Sequence, residues 1–156
     1  MENRNSLRKQ DGNYKDTRMS MLRISIGIIY LWFGVLKFFP DISPAEALAK
    51  DTIEVLTLGL IPRDFSFLML AVGEFAIGTM LVLGIWKRYT FYLALSHMFC
   101  TFLPLVLLPN YSFNDTPFTL TLVGQYIMKN VVIVSALFVV YRSYVDFSRL
   151  KRLMPI

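Results

Sequence analysis

The sequence predicts an all-α protein: a membrane-embedded four-helix bundle with a short amphipathic helix on the outer side, between the first and second spans. Three observations carry that reading. Hydrophobic residues make up 55% of the 156 residues and charged residues only 17%, against about 45–50% and about 25% in soluble domains. The apolar residues fall into four runs, each of about the 20 residues that cross a bilayer. Lysine and arginine gather beyond one set of run ends. Mean hydropathy is +0.51, and four spans in so short a chain leave room for one compact bundle.

The first run, residues 21–39, follows a basic arm at 1–20 and closes at Pro40. It is too long for a signal-peptide core and no small-residue cleavage site follows "LKFFPDIS", so it is expected to stay in the mature protein. Gly27, Tyr30, Gly34 and Lys37 recur at helical spacing and share one face. Lys37 either snorkels to the outer headgroups or turns inward, where it would suit an anion or a polar quinone headgroup.

Ser43, Pro44 and Glu46 then form an N-cap, a first-position proline and a capping-box glutamate. They open a helix over about 44–58, ended by Gly59 and Pro62. Ala45, Leu48, Ala49, Ile53 and Leu56 line one side, with Glu46, Lys50 and Glu54 opposite. This helix reads as a lid over the bundle, a gate or a docking face.

The second run covers 65–85, with Asp64 as N-cap, and the third 89–108, where Pro104 predicts a kink. The fourth covers 117–141, with Thr116 as N-cap and Pro117 at the first helical position, and leads into a basic tail at 142–156. Gly73, Gly78 and Gly84 on the second span, with Gly27 and Gly34 on the first, predict close helix approach. Trp86, Tyr89, Tyr141 and Tyr144 form an aromatic belt.

Orientation follows from the cations. One side holds twelve lysines and arginines against four acids, a net +8, and the other two against six, a net −4. Both termini are therefore expected in the cytoplasm. The overall +5 is a topology signal and not a nucleic-acid footprint; the basic ends would lie against membrane lipids.

Soluble-enzyme chemistry has little foothold. The lone Cys100 excludes an internal disulfide and a Cys-x-x-Cys dithiol. Zinc-ligand spacing and Gly-rich phosphate loops are absent, so no metal is expected, and one histidine cannot supply bis-His haem ligation within one subunit. What stands out is "VGQYIMKNVV", which puts Gln125, Lys129 and Asn130 inside the fourth run. A lysine at a span's centre costs about 2.5–3.5 kcal/mol on insertion scales. Counting ~1.5 Å per residue places Lys129 about 18 Å, Glu74 about 14 Å and His97 about 16 Å below the outer ends of their spans.

That layer predicts a buried Glu74–Lys129 ion pair, with His97 or Gln125 filling the remaining hydrogen-bond positions. Asn130 would bond across to another helix, and Cys100, one turn from His97, reads chiefly as a small buried hydrophobe. The candidate catalytic residues are Glu74, His97 and Lys129. The candidate substrate-binding residues are Lys37, Gln125, Asn130 and Cys100. A paired Glu–Lys also reads as a structural staple.

The same residues carry a family resemblance. "RISIGIIYLWFGVLKFFP" resembles the opening span of the DoxX family, and "AVGEFAIGTMLVLGIWKR" its second, with a mid-membrane glutamate before Gly-rich packing. "LVGQYIMKNVVIVSALFVV" is similar to the fourth-span pattern Gly-Glu-Tyr/Phe-x-x-Lys-Asn, with Gln125 where those members carry glutamate. The resemblance implies a four-helix inner-membrane protein. It also implies association with thiosulfate:quinone oxidoreductase or with complexes handling thiol or oxidative stress. Lys37, Glu74, Lys129 and Asn130 are the positions it marks.

The expected function is that of an oxidoreductase-associated membrane subunit binding a quinone headgroup or a small sulfur oxyanion at the polar layer. Quinone is the expected cofactor, and a redox partner subunit or a second copy of the chain the expected partner. Two alternatives stand beside it: a proton-coupled small-solute transporter, and a non-catalytic scaffold.

Overall fold

A computed structural model of the chain describes residues 2–39, 42–43, 46–114 and 119–153. Its helices are α1 (Glu2–Leu36), α2 (Glu46–Thr57), α3 (Arg63–Leu83), α4 (Lys87–Phe102), α5 (Pro104–Leu107), α6 (Pro109–Ser112) and α7 (Leu122–Leu153). Among the described residues, four stretches are long and apolar enough to cross a membrane: Thr17–Leu36, Arg63–Leu83, Lys87–Leu107 and Leu122–Val145. The fold is thus an all-α bundle of four spans with α2 between the first two.

No proline interrupts α1, so the basic arm and the first span form one continuous helix. It ends in a tightened turn, Lys37 N–H donating to Gly34 O at 3.2 Å and Phe38 N–H to Val35 O at 3.1 Å. Helix α2 opens with Glu46 N–H on Ser43 O at 3.1 Å; Pro44 lies outside the described residues. It closes through left-handed Leu58 (φ 52°) and Gly59 (φ 72°), whose N–H returns to Glu54 O at 2.9 Å.

Leu48 and Thr52 are the buried positions of α2. Its charged side is clasped to the start of α3. Lys50 bridges Glu46 at 2.9 Å and Asp64 at 2.7 Å, while Arg63 pairs with Asp51 and with Glu54 at 3.3 Å. Tyr111, from α6, donates to Asp51 Oδ2 at 2.8 Å. Asp64 is therefore not the N-cap of the second span, which is Pro62. Its carboxylate is engaged by Lys50 instead.

Helix α3 ends on left-handed Gly84 (φ 68°), with Gly84 and Ile85 N–H both on Met80 O. Arg23 of α1 donates Nη1 to Leu81 O and to Val82 O, taking up carbonyls that the helix end leaves open. Pro104 breaks the third span as its missing N–H requires: α4 stops at Phe102, and Leu103 N–H takes the Cys100 carbonyl at 3.2 Å.

The start of the fourth span departs from expectation. Thr116 and Pro117 lie outside the described residues, and α7 begins only at Leu122. Thr121 caps it, Oγ1 accepting from Gly124 N–H at 3.1 Å. Before it the chain doubles back, with Phe113 bridged to Leu120 and Thr121 N–H on Ser112 O at 3.1 Å.

Helix α1 packs most extensively on α3, α4 packs chiefly on α7, and α1–α7 and α3–α4 contacts close the ring. Glycine makes the α1–α3 crossing tight. A Cβ on Gly78 would stand 2.8 Å from Leu31 N, and one on Gly34 2.9 Å from Phe75 N. Gly73 has no such role, since a Cβ there meets nothing within 4 Å. The shared core is Ile26, Tyr30, Ile77, Leu81, Phe91, Ala94, Met98 and Leu137. Ile28, Trp32, Val72, Phe99 and Val132 point outward, as they can when the solvent is lipid.

Gly78→Leu should lower the thermal unfolding midpoint in detergent, by about 1–3 kcal/mol of overpacking, while Gly73→Ala leaves it unchanged or slightly raised. The clasp carries a pH signature. Hydrogen bonds to Asp64 and then to Glu46 raise the pKa of Lys50 above its usual 10.5. A raised folded-state value means the clasp's contribution is complete below 10.5 and is lost as pH rises through the folded value. A fluorophore at exposed Val55 should report release of α2 on that alkaline side, and again in acid, where the clasp's carboxylates take up protons.

Candidate functional site

Two turns of α1 separate Tyr30 from Lys37, which puts both on the face turned toward α3 and α4. Gly34 between them brings the α3 backbone close, so that a Cβ there would lie 3.3 Å from the Cβ of Glu74. Helix α3 contributes Glu74 and α4 contributes His97. Lys37 is 8% exposed and Glu74 6%, so neither charge is solvated by surroundings other than protein. Lys37 does not snorkel.

The four side chains form a line. Lys37 Nζ lies 2.5 Å from Glu74 Oε2. The other carboxylate oxygen, Oε1, lies 3.1 Å from His97 Nε2, although the ring N–H is not aligned on it and Nε2 has no hydrogen bond among the described residues. Nδ1 of the same ring lies 3.3 Å from Tyr30 Oη, and that hydroxyl lies 3.2 Å from the Ala94 carbonyl. The Tyr30 and His97 ring centroids are 5.4 Å apart.

Tyr30 has one proton and two acceptors in reach. When it donates to Nδ1, the imidazole proton sits on Nε2, facing Glu74. When it donates to Ala94 O, Nδ1 must carry the proton that reaches the tyrosine oxygen. Nε2 then faces the carboxylate bare unless a second proton comes from Glu74. The first arrangement sets a donor against the carboxylate, whereas the second needs a proton between Glu74 and His97, since two bare acceptors 3.1 Å apart repel.

Three of the seven candidate residues come together: Lys37, Glu74 and His97. The expected Glu74–Lys129 ion pair does not form; Lys37 occupies that role. Lys129 is exposed, its ammonium 4.7 Å from the Tyr126 ring centroid. The late start of α7 explains this, because Lys129 is seven residues, about 10 Å, below Leu122 instead of about 18 Å below a start at Pro117. Gln125 is also exposed and donates to Leu120 O at 3.4 Å.

Cys100, expected to be buried, is exposed on the outer side of α4, where Ala94 and Met98 take the inner face. Asn130 does bond across, donating to Thr101 Oγ1 of α4 at 3.1 Å, one turn beyond His97. Tyr30 joins Lys37, Glu74 and His97 although it is not among the seven candidates. Its place on one face with Gly34 and Lys37 was the available signal.

A four-span helical bundle with a buried chain of ionisable groups defines a multi-pass membrane protein. The sequence pattern of the DoxX family matches residues 19–106, more than half of the chain, and the chain belongs to that family. No curated protein and no solved structure matches it. Tyr30, Lys37, Glu74 and His97 all lie within the matched residues, whereas Gln125, Lys129 and Asn130 lie beyond them.

A double-mutant cycle separates the pairs. Lys37→Met strands a buried carboxylate and should cost about 3–5 kcal/mol, with Lys37→Met/Glu74→Met costing less than either single change. Lys129→Met should stay within about 0.5 kcal/mol. Unfolding in detergent micelles measures all three.

Proposed function

We propose that the protein is a small membrane subunit of an oxidoreductase system, in which the Lys37–Glu74–His97–Tyr30 chain binds a quinone headgroup or small sulfur oxyanion at its Lys37 end and moves protons for it. The observation that carries this is the position of His97. Its two nitrogens face a carboxylate on one side and a hydroxyl on the other, at 3.1 Å and 3.3 Å. A simple staple would leave each group saturated, yet Nε2 has no aligned partner and Tyr30 has two acceptors.

Quinone reduction consumes protons together with electrons, and the residues' share of that chemistry is the proton. Lys37 offers positive charge to an oxyanion or a developing quinol oxygen. Glu74 gives a proton to the reduced quinone beside it and is reprotonated through His97 from the Tyr30 side. Electrons come from the sulfur substrate itself, oxidised as the quinone is reduced, or through a separate redox partner subunit. We place the protein in the inner membrane with both termini cytoplasmic, on the strength of the twelve-to-two division of cations.

Titration calorimetry in nanodiscs tests the reading, with a short-chain quinone and thiosulfate as probes, in buffers of different ionisation enthalpy. One of the two should bind with proton uptake, and Glu74→Gln and His97→Phe should each weaken it at least about tenfold, or 1.4 kcal/mol. Melting curves on the same samples separate lost binding from lost fold. Absence of binding by both probes to the wild type would end this proposal.

A further inference from the structure

The end of the bundle remote from Lys37 has a cleft of its own. It lies where α1, α3, α4 and α7 meet, is shallow and open, with an interior of about 20 Å³, and has apolar walls that include Met80, Leu137 and Val140. Two cations line it, Arg23 and Lys87, and no carboxylate does among the described residues. Neither cation has an ion-pair partner among those residues.

Arg23 spends Nη1 on the end of α3, but its Nε is buried with no hydrogen-bond partner among the described residues. The Lys87 ammonium stands 4.3 Å from the Tyr144 ring centroid, an interaction that leaves its N–H donors free to turn. Lys87 also opens α4, whose N-terminus has no side-chain cap and so presents partial positive charge at the cleft's rim.

Depth narrows the ligand. Lys87 is the first residue of the third span, and Arg23 reaches the Leu81 and Val82 carbonyls at the adjoining end of the second. The two cations therefore stand at the boundary between headgroups and hydrocarbon, with apolar walls running inward from them. We propose that this cleft seats an anionic phospholipid. Its phosphodiester oxygens would take Arg23 Nε–H and Lys87 Nζ–H, and an acyl chain would lie along Met80, Leu137 and Val140.

Free phosphate shares the headgroup chemistry, so the test separates the two sources. The full chain, delipidated in mild detergent, is offered phosphatidylglycerol or phosphatidylcholine of the same acyl composition and read by native mass spectrometry. Inorganic phosphate alone is tested by its effect on the melting midpoint. Phosphatidylglycerol should be retained about tenfold more than phosphatidylcholine, because the two share a phosphodiester but the choline ammonium neutralises it and sets a third cation beside Arg23 and Lys87.

Exposed Lys87→Gln should remove most of that preference without moving the melting midpoint in the absence of lipid. Arg142→Gln, at the same end but outside the cleft, should leave it intact. Arg23→Lys, which keeps the charge and removes Nε, should also weaken retention. Equal retention of the two lipids, or a Lys87→Gln protein that retains phosphatidylglycerol like the wild type, overturns the proposal. Stabilisation by inorganic phosphate without lipid preference also overturns it, assigning the cleft to a soluble anion.

Discussion

Hydrocarbon solvates neither a carboxylate nor an ammonium, so Glu74 and Lys37 require each other, and the rest of the bundle is arranged around that requirement. Their atoms meet at 2.5 Å only because α1 and α3 run almost backbone to backbone. That approach exists because Gly27, Gly34 and Gly78 present no side chains at the crossing. Once the pair is fixed, α4 must bring His97 against the free carboxylate oxygen, and Tyr30 becomes the polar end of an otherwise apolar core. Breaking a buried pair by removing one partner costs more than replacing both. The chemistry therefore sits on the most rigid contact in the molecule.

The two ends of the bundle are finished differently. At the Lys37 end α2 is held by a network in which Lys50 and Arg63 each bridge two carboxylates. Its charges are mutually satisfied. At the opposite end Arg23 and Lys87 face a cleft with no carboxylate among the described residues. An anion-satisfied clasp above the buried chain and an anion-seeking cleft below it give the bundle two distinct surfaces.

Much of this was legible in the sequence. Composition and run length gave the four spans, and Pro104 marked the break that ends α4. The spacing of Tyr30, Gly34 and Lys37 marked the inward face of α1, and the shared depth of Glu74 and His97 anticipated their contact. Lys129 was misplaced for a specific reason. "TPFT" reads as a capped helix start, yet α7 begins at Leu122, where Thr121 supplies the cap. The pairing before it rests on backbone hydrogen bonds from Thr121 to Ser112 and from Asn114 to Thr119, which the residue pattern does not announce. Five residues of offset shift the depth by about 7.5 Å and rotate the face by more than a turn. The inward choice of Lys37 was equally hidden, because snorkelling and pairing leave the same sequence.

The most direct test of the buried chain is solid-state NMR on the full-length protein in lipid bilayers, with nitrogen-15 in lysine and histidine and carbon-13 in glutamate. The account predicts through-space correlations from the Glu74 carboxyl carbon to Lys37 Nζ and to His97 Nε2, both abolished in Glu74→Gln. A correlation of that carbon with Lys129 Nζ, or with no lysine at all, would contradict it.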